Sequence, residues 1–195
     1  MNHTADIDLD FANTEDILKL IEYIPARMES KNKVVPHPSG VYVQLIPTDP
    51  VNGLASLPYK EADDRGYFKI DFLNMHVYSH IRDAAHYEEL LNKEPPWERL
   101  TDIEFVKNIV HIGRYYGFIR EMLPDNIPRM AMFLAALRPS KKHLLGKPWD
   151  IVSKTIWEKP TSGAYYFKKS HSISYSVLVG LHMNIIAEQL DNDSK

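Results

Sequence analysis

The sequence contains no cysteine. Disulfides, cysteine-ligated zinc, iron–sulfur clusters and a cysteine nucleophile are therefore excluded. The sequence also lacks a run of about 18 to 20 apolar residues, which is the length that spans a bilayer. Its first residues show neither the basic start nor the apolar stretch of a signal peptide. We therefore expect a cytoplasmic protein without a membrane partner.

Charge is weak in sum but uneven along the chain. A formal net charge of −3 argues against a strongly basic protein that coats nucleic acid. Residues 1–30 are mostly acidic among their charged positions, whereas residues 138–169 are mostly basic. Two interpretations stay open at this point: a metal site that faces a phosphate site, or two solvated surfaces of opposite sign.

Hydrophobic periodicity predicts a mixed α+β first half and a helical second half. Alternation at period two predicts strands over residues 6–11, 40–46 and 66–72, and the proline- and serine-rich residues 25–39 are expected to form a loop. Helices are predicted over 14–23, 74–91, 101–122, 128–137, 149–158 and 171–190. Pro95-Pro96 is the expected boundary, which gives domains at 1–94 and 95–195.

An acidic strand is the strongest chemical feature. Residues two apart on a strand point to the same side, so Asp6, Asp8 and Asp10 are expected to share one edge. Such carboxylates repel one another unless a cation lies between them, and hard oxygen ligands favour Mg²⁺. Asp71, on another predicted strand, would complete a two-metal site. The pattern alone is weak, because alternating aspartates also occur at strand ends and in calcium loops.

Six segments, in order along nearly the whole chain, resemble the palm and fingers of the α subunit of bacterial replicative DNA polymerase III. Ala5-Asp-Ile-Asp-Leu-Asp-Phe11 resembles the family's Pro-Asp-x-Asp-x-Asp-Phe signature, and Gly66-Tyr-Phe-Lys-Ile-Asp-Phe-Leu73 is similar to its second palm motif. The others are His37-Pro-Ser-Gly-Val-Tyr-Val43, Pro58-Tyr59-Lys60, Ala135-Ala-Leu-Arg-Pro139 and Phe167-Lys-Lys-Ser-His171 with Tyr175.

The resemblance implies a polymerase-beta-like nucleotidyltransferase palm followed by a helical, fingers-like lobe. It implies that Asp6, Asp8 and Asp71 are catalytic and bind Mg²⁺, with Mn²⁺ as a substitute and Asp10 as a further metal ligand. The implied substrates are a DNA primer-template and a deoxynucleoside triphosphate. The implied nucleotide-binding residues are Lys69, Arg138, Lys168, Lys169 and His171.

Four of the five nucleotide-binding candidates also have a purely structural interpretation. Arg138 is alternatively an ion-pair partner that joins two helices, and His171 a hydrogen-bonding residue at a helix start. Lys168 and Lys169 are alternatively plain surface residues. The loop residue His37 is slightly favoured as a hydrogen-bonded structural histidine.

The sequence also departs from the family. The fingers motif Arg-Pro-Gly-Pro reads Arg138-Pro-Ser-Lys141, and the family's Gly-Ser triphosphate motif has no match, so we expect a second polymerase subunit to supply that loop. A strongly shortened polymerase core of this kind is typical of small genomes, and we expect a bacteriophage source. Three functions stay open: a minimal or split polymerase, a non-catalytic remnant that binds DNA or the replisome, and a structural subunit.

Overall fold

The chain folds into two compact units, residues Met1–His80 and Ile81–Lys195. The structure is a computed structural model that describes residues 7–30, 33–159 and 167–193, so Asp6 lies outside the described residues. The division falls upstream of the predicted boundary at Pro95-Pro96. Residues 81–94 join the second unit because the amide of Asn184 donates hydrogen bonds of 2.9 Å to the carbonyls of Leu90 and Lys93.

The first unit is built on a four-stranded mixed sheet. Its strands are β1 (Ile7–Phe11), β2 (Ile24–Ser30), β3 (Lys33–Tyr42) and β4 (Ile70–Asn74), in the order β1-β4-β3-β2. β1 is parallel to β4, whereas β3 pairs antiparallel with both β4 and β2. The helices α1 (Thr14–Leu18) and α2 (Tyr59–Asp64) and a 3₁₀ helix (His76–His80) complete the unit. The predicted mixed α+β class is confirmed.

The β2–β3 hairpin is where the sequence prediction was wrong. Residues 25–39 were expected to form a loop because they contain several prolines, yet most of them lie in these two strands. β2 is an edge strand, where a missing N–H group is tolerated. β3 pairs with β4 only at Gly40 and Val41, so Pro36 lies where β3 has a partner on one side only, and Pro38 lies in the register shift between β2 and β3. The hairpin accommodates its prolines for this reason.

The second unit is helical. Its helices are α3 (Ala84–Asn92), α4 (Ile103–Val106), α5 (Tyr116–Met122), α6 (Ile127–Ala136), α7 (Trp149–Thr155) and α8 (Lys169–Asp193). Short 3₁₀ helices lie at Trp97–Thr101, Gly113–Tyr115 and Pro139–Leu144. The core forms where α6 packs on α8, with Met130, Phe133, Val179 and Met183 fully buried. The Ser172 hydroxyl, also buried, donates a 2.6 Å hydrogen bond to the carbonyl of Ala131 across this contact.

The single helix predicted over 101–122 is broken into pieces. Asp102 caps α4 by accepting a hydrogen bond of 2.8 Å from the backbone N–H of Glu104. Beyond α4 the chain turns back at His111, whose φ of 64° is left-handed. Gly113 then lies so close to the chain that a Cβ there would sit 2.5 Å from the carbonyl oxygen of Lys107. Hydrophobic spacing cannot reveal either feature.

No helix in the described part of the chain is long and apolar enough to cross a membrane.

Tyr42 is an unusual member of the first unit's core. Its side chain is almost fully buried against Ala26 and Ile46, yet among the described residues its hydroxyl has no hydrogen-bond partner. Burial, assisted by the negative charges of Asp63 and Asp71, raises the pKa of Tyr42 to about 12. The buried hydroxyl is therefore a cost to the fold at neutral pH and a larger one in alkali.

We expect Tyr42→Phe to stabilise the protein by about 1 kcal/mol at pH 7, because it removes a buried, unsatisfied donor. An unfolded tyrosine ionises near pH 10 and the folded Tyr42 near 12. Wild-type stability therefore falls as the pH rises between these values, and the advantage of Tyr42→Phe should widen. Urea unfolding at pH 7 and at pH 11 measures both effects. A destabilised Tyr42→Phe protein at both pH values would contradict the unsatisfied hydroxyl.

Candidate functional site

The parallel pairing of β1 with β4 brings the predicted carboxylates together. Asp8 lies opposite Asp71 in the register, and Asp10 lies opposite Leu73. Paired residues on neighbouring strands share a face, and neighbouring strands lie about 4.8 Å apart. Asp8, Asp10 and Asp71 therefore share one face of the sheet. Two aromatic rings on the other face, Phe11 and Phe72, pack with their centroids 5.1 Å apart.

Asp71 is the anchored member of this group. It is 8% exposed, and its two oxygens have different partners. The Ser39 hydroxyl donates a 2.7 Å hydrogen bond to Oδ1, and the Lys69 ammonium forms an ion pair with Oδ2. The charge of this buried carboxylate is thus balanced by the protein's own lysine, and any metal ion that binds Oδ2 has to displace Lys69 from it.

His37 supports this arrangement as a neutral side chain. Its Nδ1 accepts a hydrogen bond of 2.8 Å from the Gly40 backbone N–H, so the ring proton resides on Nε2. Nδ1 also lies 3.5 Å from Oδ1 of Asp71, but both atoms are acceptors and this contact is not an ion pair. Burial, together with the positive charge of Lys69, lowers the pKa of His37 and keeps the ring uncharged. The structure gives His37 the structural role that the sequence slightly favoured.

Gly40 is the residue that permits this close packing. A Cβ at position 40 would lie 2.7 Å from Cδ of Lys69 and 2.8 Å from Nδ1 of His37. Gly40 is also the register partner of Asp71 across the β3–β4 pair. Because Gly40 has no side chain, Lys69 and His37 have room to lie beside the carboxylate of Asp71.

Asp8 and Asp10 form the accessible part of the group. Both are exposed, and the Tyr78 hydroxyl contacts Oδ2 of Asp10 at 3.4 Å. The pKa of Asp10 is raised overall. Burial and the negative charge of Asp8 raise it, and the hydrogen bond from Tyr78 lowers it by less. Among the described residues, no group of three or more His, Asp or Glu side chains is arranged as a metal site. Asp8, Asp10 and Asp71 are the oxygen donors that the sheet places on one face.

A cavity of about 530 Å³ lies within the second unit. Of the four nucleotide-binding residues predicted there, only Arg138 lines it. Lys168 and Lys169 are exposed at the start of α8, where the Lys169 ammonium lies 5.9 Å from the ring of Trp157. His171 lies 6.2 Å from the ring of Phe167, measured between centroids. The charged and titratable side chains that sequence reasoning missed are Lys107, His111 and Arg114.

Part of this cavity had a signal in the sequence. Phe167 and Tyr175 belong to the segment that resembles a fingers motif, and they pack with ring centroids 5.5 Å apart. His111 and Arg114 carried no signal, because the reversal of the chain at His111 depends on a backbone conformation that spacing does not encode.

Comparisons of this chain with protein-family models, with curated proteins and with solved structures gave no match.

We expect Gly40→Ala to destabilise the first unit by about 1–3 kcal/mol, the usual cost of overpacking. The His37 ring cannot easily move away from the new Cβ, because its Nδ1 accepts a hydrogen bond from the backbone N–H of Gly40 itself. Gly117→Ala is the matched control: it lies in α5 with no atom within 4 Å of the new Cβ, and should stabilise slightly. Urea unfolding of both variants makes the comparison. An unchanged midpoint for Gly40→Ala would refute the close packing.

Proposed function

We propose that this chain is a nucleotidyl-transfer core related to the α subunit of bacterial replicative DNA polymerase III. It would extend a DNA primer on a template with deoxynucleoside triphosphates during replication. The observation that carries the proposal is the pairing of Asp8 with Asp71 on adjacent parallel strands. These two aspartates are more than sixty residues apart in the sequence, and both lie on strands that were predicted to carry metal-binding carboxylates. They meet side by side on one face of the sheet. In this proposal the first unit is the polymerase-beta-like palm.

The donor set suits the metal that this chemistry needs. Asp8, Asp71 and Asp10 offer only carboxylate oxygens, which Mg²⁺ and Mn²⁺ prefer, and Asp6 is proposed to join them. When bound, the metal would activate the primer hydroxyl and stabilise the leaving pyrophosphate. The chain's own contribution is to hold Asp71 in place through Ser39 and Gly40.

Lys69 is proposed to exchange partners in this reaction. Its ammonium forms an ion pair with Asp71. A cation that takes the carboxylate oxygen would release the ammonium, which is then available for a phosphate oxygen. Lys69 would thus balance the site's charge with and without a bound cation. Arg138 is proposed to bind the nucleotide.

A polymerase of this kind needs a triphosphate-binding loop, and no segment of the 195 residues matches the family's Gly-Ser motif. We propose that a second polymerase subunit supplies it. The alternative function is a non-catalytic remnant that binds DNA or the replisome. The observation that favours this alternative is that Asp71 is already satisfied by Ser39 and Lys69, so the fold needs no metal at this position.

The metal site predicts a specific pattern of thermal stability. Mg²⁺ or Mn²⁺ at ten times its Kd should stabilise the wild type by about 1.4 kcal/mol, through binding to the native state only. The double variant Asp8→Asn with Asp71→Asn should lose this shift. Asp64→Asn, which removes an exposed carboxylate of α2, should keep it. Equal shifts in all three proteins would exclude the metal site.

Lys69→Met makes the competition between lysine and metal measurable. Without its counter-charge Asp71 is a buried, unpaired anion, so the metal-free variant should be less stable than the wild type. Its stabilisation by Mn²⁺ should be larger, because no ammonium has to be displaced. Differential scanning calorimetry with and without Mn²⁺ tests this. A smaller shift than in the wild type would show that Lys69 does not compete for the site.

Primer extension decides between the two functions. The full chain is assayed on a primer-template with Mg²⁺, alone and with candidate partner subunits, beside the Asp8→Asn variant. Extension that Asp8→Asn abolishes supports the polymerase. DNA binding that neither metal nor Asp8→Asn affects, without extension under any combination, supports the non-catalytic remnant.

A further inference from the structure

We propose that the cavity of the second unit is a metal-independent binding site for a nucleoside monophosphate group, with one phosphate and one base ring. The site is formed by Lys107, His111, Arg114, Arg138, Phe167 and Tyr175. It lies wholly within residues 81–195, and it does not require that the aspartates of the first unit catalyse anything.

The described residues that line the cavity include cations and no aspartate or glutamate. Lys107 is neutralised by Glu104, but neither Arg114 nor Arg138 forms a salt bridge with any carboxylate of the described residues. Two guanidinium groups without a counter-charge among the described residues therefore line one partly open cavity, and a concave site attracts an anion more strongly than a flat surface does.

The position of the Arg138 guanidinium also favours an anionic ligand. Its Nε–H is buried and has no hydrogen-bond acceptor among the described residues. Buried polar groups normally have partners, and a charged donor without one is costly. The guanidinium is held in place over the ring of Phe167, 4.2 Å from the centroid. Arg138 therefore lines the cavity with a planar, positively charged group of fixed position, and such a group suits a phosphate oxygen.

Aromatic rings form the rest of the wall. Phe167 packs on Tyr175, and the ring of Tyr175 meets that of His111 edge-on with centroids 4.7 Å apart. Aromatic faces stack on any nucleobase and favour its planar ring over an aliphatic group. This wall supplies the base-binding half of the site, and the arginines supply the phosphate-binding half.

His111 completes the site as a neutral group. Its left-handed backbone turns the chain back beside the cavity. Burial and the positive charge of Arg138 lower the pKa of His111, so the ring offers one donor and one acceptor instead of a third charge. Such a group suits a base edge or a sugar hydroxyl.

Size and charge together select the ligand. A volume of about 530 Å³ is within the range of small-molecule sites and far exceeds the needs of one phosphate. The wall offers no carboxylate to a phosphate-bound Mg²⁺. A phosphate without a metal, attached to a ring, fits both features.

The test is isothermal titration of the full chain with dAMP, inorganic phosphate and a 5′-phosphorylated oligonucleotide, all in EDTA. We expect dAMP to bind more tightly than phosphate, and Arg114→Gln to weaken dAMP by about tenfold or more, the effect of one lost charge-assisted hydrogen bond. Arg114→Lys should recover part of the affinity. Arg120→Gln is the matched control, because Arg120 is exposed on α5 and does not line the cavity.

Absence of dAMP binding in EDTA, or equal weakening by Arg114→Gln and Arg120→Gln, would overturn the proposal. Phosphate that binds as tightly as dAMP would overturn the base-binding half. Tighter binding of the oligonucleotide than of dAMP assigns the ligand to a nucleic-acid end, and the reverse assigns it to a free mononucleotide. Because EDTA removes metal, failure here leaves the metal and primer-extension tests of the first unit unaffected.

Discussion

The parallel pairing of β1 with β4 is the constraint on which the rest of the candidate site depends. A parallel pair requires the chain to leave one end of the sheet and return to the other, and residues 12–69 make that crossover. Hydrogen bonding then fixes the register, so Asp8 cannot slip relative to Asp71 without turning every side chain of β1 to the opposite face. Phe11 and Phe72, packed together on that opposite face, oppose such a slip.

Two like charges held side by side need compensation, and Lys69 provides it. Lys69 immediately precedes β4 and is two residues before Asp71, so the two side chains lie on the same face of the sheet. Gly40 then leaves the space in which the lysine stem lies. A carboxylate balanced in this way has its charge satisfied by the protein itself. Both proposed functions are compatible with that property.

The parts of this structure that the sequence predicted are those set by local pattern. The strands that carry Asp8 and Asp71 follow from alternation at period two, and most of the second unit's helices follow from hydrophobic spacing. Other parts depend on contacts between distant residues. The β2–β3 hairpin forms in spite of its prolines because β3 pairs with β4 only at Gly40 and Val41. The break before α5 depends on the left-handed His111, and the ion pair of Lys69 with Asp71 depends on packing against β3.

The same limit explains why Arg138 was found from the sequence and Arg114 was not. Arg138 belongs to a recognisable motif, whereas Arg114 reaches the cavity only because the chain reverses at His111. The two candidate sites consequently differ in charge: carboxylates with Lys69 in the first unit, and in the second two arginines without a salt bridge among the described residues, one of them over the ring of Phe167. We expect a divalent cation to act on the acidic sheet face and a metal-free phosphate to act on the cavity. Each ligand therefore reports on one unit, and a chain that responds to one and not to the other reveals which half of the proposed polymerase has kept its chemistry.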